Sequence, residues 1–165
     1  MRERKRVREL GINIGRFPTG PNNAITDIPG VKVGHETVIS EEHDDRGPAR
    51  TGVTVILPNE DLYNQRLFAN SYVINGAGEM TGILQVKEWG IIETPIALTN
   101  SMNVGIVSDG IIEYMTRRYP ELGNTEDIVL PIVAECDDSF LNNPRGRHVK
   151  QEHVLSAINK ATYGP

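Results

Sequence analysis

The sequence predicts a mixed domain, α/β or α+β, in which helices cover a β-sheet. Three observations carry that expectation. Short β-branched runs recur, of which residues 51–57, "TGVTVIL", are the clearest; apolar residues at helical spacing recur between them; and the two kinds alternate along 165 residues without repeat or linker.

Taken in order, residues 1–10 are basic. Arg2, Arg4, Lys5, Arg6 and Arg8 stand against Glu3 and Glu9, so this segment is net +3 and the remainder net −8. A basic arm on an acidic body can touch nucleic acid or anionic lipid, but such charge runs are usually solvated faces. The segment therefore reads as a solvated first helix with Val7 and Leu10 on its apolar side. A Gly-, Pro- and Asn-rich loop follows, and alternation from Val31 through Ile39 marks a hairpin or bent strand.

Glu41, Glu42, His43, Asp44 and Asp45 are consecutive, and consecutive side chains cannot all face one ion, so this stretch reads as a solvated loop rather than a metal site. Residues 51–57, stopped by Pro58, form the expected central strand. A further strand is expected over 71–74, ending in "NGAGEMTG". Residues 82–89, "GILQVKEW", then place Ile83, Val86 and either Leu84 or Trp89 on one helical face, with Gly90 as C-cap.

Residues 94–98 read as a strand running into "TNSMNVG". The next stretch, 104–119, reads as a long helix with Ile106, Val107, Ile111, Tyr114 and Met115 inward and Pro120 beyond its end. A strand over 128–134 follows, and a last helix from about Lys150 to Ala161 carries Val154, Leu155 and Ile158.

Composition narrows the function classes. At 38% hydrophobic residues the chain can bury a core. No apolar run reaches the roughly 18 residues a membrane span needs, and the N-terminus is charged where a signal peptide has its apolar stretch. A soluble, cytoplasmic protein is expected, with no membrane and no nucleic-acid partner. The single cysteine, Cys136, excludes an internal disulfide and multi-cysteine metal motifs.

Generic catalytic motifs fail. "NGAGEMTG" spaces Gly76, Gly78 and Gly82 as GxGxxxG, not the dinucleotide fingerprint, and His148 and His153 are off the i,i+4 spacing of a zinc pair. No metal and no cofactor is expected. What does recur is a polar turn after each apolar run: Asn75-Gly76, Thr99-Asn100-Ser101 and Glu135-Cys136-Asp137. Strand ends are where α/β sheets form ligand crevices, so Glu135, Asn100, Ser101 and Asn75 are the candidate substrate-binding residues. The plainer reading is that Asn is a turn residue and that Asn100 or Asp137 caps a helix.

Glu135 poses the sharpest question, since an acid at the rim of a core needs a partner. A backbone cap, a basic side chain such as Arg145 or Arg147, or a cationic ligand would each serve.

Six segments in order, "NAITDIPGVKVGH", "RTGVTVILP", "NGAGEMTG", "PIALTNSMNVG", "PIVAECDD" and "GRHV", resemble the L-aminopeptidase D-Ala-esterase/amidase family, whose relatives include the β-peptidyl aminopeptidases. The resemblance begins at about Leu10. It implies an α+β fold, a four-layer αββα sandwich shared with ornithine acetyltransferases, of which residues 1–165 form the N-terminal part of one hydrolase domain. It also implies an N-terminal-nucleophile mechanism, in which a precursor cleaves itself before a serine or threonine whose freed amine serves as base. The acid at Glu135 is implied to hold the substrate's N-terminal ammonium.

Asp137 departs from the aromatic residue of relatives, and a carboxylate repels an oxyanion, so a donor role there does not carry over. None of the sixteen glycines is followed by Ser, Thr or Cys. The expectation is therefore no catalytic residue in this chain, and a C-terminal chain carrying the nucleophile as partner. A small peptide or amino-acid amide substrate and a homo-oligomer complete the expectation, and the isolated chain is expected to be inactive and to associate through unpaired edges. The competing readings are a non-catalytic scaffold or fragment of the same fold, and an acyl-transfer enzyme by fold analogy.

Overall fold

The computed structural model describes residues 5–41 and 46–164. Arg2 and Arg4 of the basic segment, and Glu42 to Asp45 of the acidic loop, lie outside the described residues. The fold is α+β. One four-stranded sheet is ordered β1 (Lys32–Ser40), β2 (Ala49–Leu57), β5 (Ile96–Asn100), β6 (Ile132–Cys136), and a two-stranded ribbon pairs β3 (Leu67–Phe68) with β4 (Ile91–Ile92). Strands β1, β2 and β5 are antiparallel neighbours, whereas β5 and β6 run parallel. Parallel neighbours need a crossover, and helix α2 (Val104–Arg118) supplies it.

Register explains the core. Val55, Ala97 and Val133 lie side by side across three strands and are fully buried. They face α2 and α3 (Gln151–Asn159), which present Val107, Ile111, Met115, Val154 and Ala157. Each fully buried large aliphatic side chain contributes about 1.5–3 kcal/mol from area removed from water. The expected strand at 51–57 and the helix at 104–119 are thus found, and for the expected reason: their apolar periods match the two faces that meet.

On the opposite sheet face the described residues form a buried cluster at one end. There Ile96 and Ile132 pack with Leu62, Val86 and Ile92 beneath α1 (Ile83–Trp89), whose C-terminus is closed by Gly90 at φ 69°. Only Val86 of that helix is buried, while Leu84 and Trp89, offered as alternatives for its inner face, are both exposed. The rest of that sheet face, around Thr54, Ile56 and Leu98, opens into an apolar groove of about 560 Å³.

Two strand expectations need correction. Residues 71–74 form no strand, and Tyr72 and Ile74 are 87% and 90% exposed; the run has strand composition but no neighbour to pair with. The strand expected from Ile128 begins only at Ile132, since Ile128 and Leu130 are exposed and Pro131 has no N–H to give a ladder. The first segment forms a 3-10 turn at Val7–Leu10 whose apolar residues are also exposed. No helix among the described residues is long and apolar enough to cross a membrane.

Candidate functional site

Strands β5 and β6 end together, with Thr99 opposite Glu135 and Asn100 opposite Cys136. Where β5 ends the chain turns through Ser101–Asn103 into α2. Asn100 makes that turn possible. It is buried, its Oδ1 accepts from the Met102 N–H at 3.1 Å and from Asn103 Nδ2 at 2.9 Å, and its Nδ2 donates to Thr51 Oγ1 at 2.7 Å. The capping role that turn propensity suggested for Asn100 is therefore present.

The turn delivers Ser101 to Glu135. Its hydroxyl donates to Glu135 Oε2, and the Glu79 N–H donates to Oε1 at 3.1 Å. Glu79 arrives because its segment is stitched along the outer edge of β6. Met80 bridges Ala134, the Thr81 N–H donates to the Val133 carbonyl at 3.0 Å, and Thr81 Oγ1 both donates to the Pro131 carbonyl at 2.7 Å and accepts from the Val133 N–H at 2.9 Å.

Glu135 is half-buried and held by one hydroxyl and one backbone amide, both neutral. Among the described residues it forms no ion pair, and the alternative of a bridge to Arg145 or Arg147 is not what its carboxylate does. A carboxylate offers about four lone-pair sites, so two donors leave acceptor capacity. Nearby in the chain, Asp137 accepts from the Ser139 N–H at 2.9 Å, and the Ser139 side chain and amide hold its carboxyl below the usual range. Its carboxylate is thus occupied in a local turn.

The structure brings Glu135 and Ser101 into direct contact. Asn75 sits earlier on the facing segment, exposed, with Oδ1 accepting from the Ala77 N–H at 3.1 Å in an Asx turn. Asn100 lines a neighbouring cleft of about 330 Å³ with Thr51, Cys136 and Asp138, a cleft that Glu135 and Ser101 do not line. The Glu79 amide and Thr81, which position the acid, escaped the sequence reading. Both act across fifty residues or more, and no local pattern signals such a contact.

Comparison with known proteins bears on this arrangement. The model of peptidase family S58 matches residues 23–165. The β-peptidyl aminopeptidase BapA of Sphingosinicella microcystinivorans is 40% identical over 99% of this chain, and that of Sphingosinicella xenopeptidilytica 41% identical over 97%. The chain spans about two fifths of these curated relatives, 41% and 40% of their lengths. Among solved structures, the PH0078 protein of Pyrococcus horikoshii OT3 superimposes with a TM-score of 0.92 at 45% identity, over 98% of this chain and 47% of that one. The L-aminopeptidase D-Ala-esterase/amidase of Ochrobactrum anthropi, described as a prototype for the serine aminopeptidases and a new variant among the Ntn hydrolase fold, does so with 0.84 at 34% identity, over 97% and 45%.

Proposed function

Since this chain belongs to peptidase family S58, we propose that it supplies the substrate-amine pocket of an aminopeptidase that releases N-terminal residues from peptides, amides or esters. Glu135 is the group that grips the substrate ammonium. The observation that carries this reading is the state of its carboxylate, fixed in direction by Ser101 and the Glu79 amide yet bonded, among the described residues, to no cationic side chain. A negative charge held by neutral donors keeps its attraction for a cation, and an aminopeptidase must accept one free amine and reject internal peptide.

The chemistry itself lies outside these residues. In this reading a serine or threonine, exposed by self-cleavage, attacks the scissile carbonyl while its own amine takes the hydroxyl proton. The chain that carries it docks on the open, apolar face of the sheet, and exposed Phe68, Tyr72 and Ile74 favour further association into a homo-oligomer. Asn100 and Asn75 support the pocket by shaping the turns that present Ser101 and the 78–81 segment. No cofactor enters the scheme.

Glu135→Gln in the complete enzyme tests the reading, because it keeps size and a hydrogen-bonding oxygen but removes the charge. Catalytic efficiency toward free-amine substrates is expected to fall by about 1.5–3 kcal/mol, the worth of a hydrogen bond to a charged group, which is roughly 10- to 150-fold. N-acetylated substrates, poor to begin with, should change little, and precursor self-cleavage should survive. Equal losses on free and blocked amines with a lowered melting temperature would make the carboxylate structural.

A further inference from the structure

Gly78 stands in the middle of the turn that faces Glu135, and its backbone does not need glycine: it lies outside the left-handed region. Its reason for being glycine is a neighbour. A Cβ at position 78 would sit 2.8 Å from Glu135 Oε1 and 3.7 Å from Cδ, closer than carbon and oxygen tolerate, with no other group within 4 Å. Gly76, two residues earlier in the same exposed turn, has nothing within 4 Å of its would-be Cβ.

We propose that Gly78 is a positioning residue for Glu135: by leaving the Oε1 side of the carboxylate clear, it allows the Glu79 N–H to fix the direction in which the acid meets a substrate ammonium. This rests on Glu135 binding the amine. The clash a side chain would create falls on the far end of a flexible side chain and not on backbone, so the fold can yield by swinging the carboxylate aside. That swing breaks the 3.1 Å bond from the Glu79 amide and carries the acid off its aim. A change from glycine at position 78 is therefore cheap for stability and expensive for recognition.

Sequence offers no hint of this. "NGAGEMTG" reads as a loose glycine turn, in which Gly76 and Gly78 look interchangeable.

The test compares Gly78→Ala, Gly76→Ala and Glu135→Gln in the complete enzyme, with an amino-acid p-nitroanilide and its N-acetylated counterpart. Gly78→Ala is expected to raise KM for the free amine by about 10- to 100-fold, the scale of loss from a misplacement near 1 Å. Its kcat should change far less, and its melting temperature should match wild type. Gly76→Ala should behave as wild type in all respects. A Gly78→Ala enzyme with the same KM as Gly76→Ala, while Glu135→Gln still loses free-amine efficiency selectively, would overturn the role of Gly78 and leave that of Glu135 standing. If Glu135→Gln shows no selective loss, the amine-binding reading fails first and this inference with it. A fall in melting temperature with equal losses on both substrates would assign Gly78 to folding and overturn the proposal.

Discussion

Ser101 and Glu135, 34 residues apart, meet as a hydroxyl donating to a carboxylate at the paired ends of β5 and β6. The parallel register brings this about, since placing Thr99 beside Glu135 puts the first residue after β5 within reach of the acid. A crossover helix starting at the same point then anchors the turn from behind through Asn100 and Asn103.

Ser101→Ala removes one of the two donors that orient Glu135. The hydrogen bond is exposed, so its net worth is about 0.5–1.5 kcal/mol, or about 2- to 12-fold in KM for free-amine substrates. Denaturant unfolding should be nearly unchanged, because Ser101 itself is exposed and fills no core. Steady-state kinetics on free and acetylated substrates, alongside an unfolding curve, checks both halves. A loss that ignores the substrate's amine would detach Ser101 from the pocket.

How much of this was legible depends on the range of the forces involved. Residues 51–57 and 104–119 were readable because a strand buried on a sheet and a helix on its face announce themselves by local period. That Glu135 would have a partner was readable, because an acid at the end of an apolar run is costly unpaired, and the Ser101 hydroxyl and the Glu79 amide are what it bonds. Residues 71–74 misled, since β-branched composition records what a run can do and not whether a neighbour is there to pair with it. Gly78 and Thr81 were silent because their meaning lies in β6, at Glu135 and Val133, more than fifty residues on, and only the folded register brings it to them.

Gly34 and Gly105 make a contrasting pair for stability. A Cβ on Gly34, in β1, would meet the Ala157 carbonyl oxygen at 1.9 Å and the Ala161 nitrogen at 2.8 Å, backbone atoms in the last turn of α3 and just beyond its C-cap. The helix cannot yield there without leaving the sheet. Gly34→Ala should destabilise by about 3 kcal/mol, the upper end of ordinary overpacking. Gly105, exposed in the first turn of α2, has open space around its Cβ position, and Gly105→Ala should stabilise by about 0.5 kcal/mol through backbone entropy. Urea midpoints moving in opposite directions are the expected result. A neutral Gly34→Ala would mean that α3 does not lie against β1 as described.

Glu36 ties the same helix to the sheet by charge. On β1, its carboxylate accepts from the Lys160 ammonium at 2.6 Å and from the Ser156 hydroxyl, and Lys160 foremost, then Ser156, hold its pKa below the ordinary value. A depressed folded-state pKa means that the unfolded chain binds a proton more readily than the native one. The stabilisation is then complete at neutral pH, begins to fade as pH drops past the unfolded glutamate value of about 4.3, and is gone once pH falls below the lowered native value. Lys160→Met removes the first of these causes while keeping much of the apolar stem. The variant should be less stable than wild type at pH 7, and the gap should narrow on going to pH 3, because below the ordinary glutamate value protonation of Glu36 favours the unfolded wild-type chain over the native one. Urea unfolding of the two proteins at both pH values reads this directly. A gap of the same size at pH 3 would mean that Lys160 acts through packing of its stem and not through the charge on Glu36.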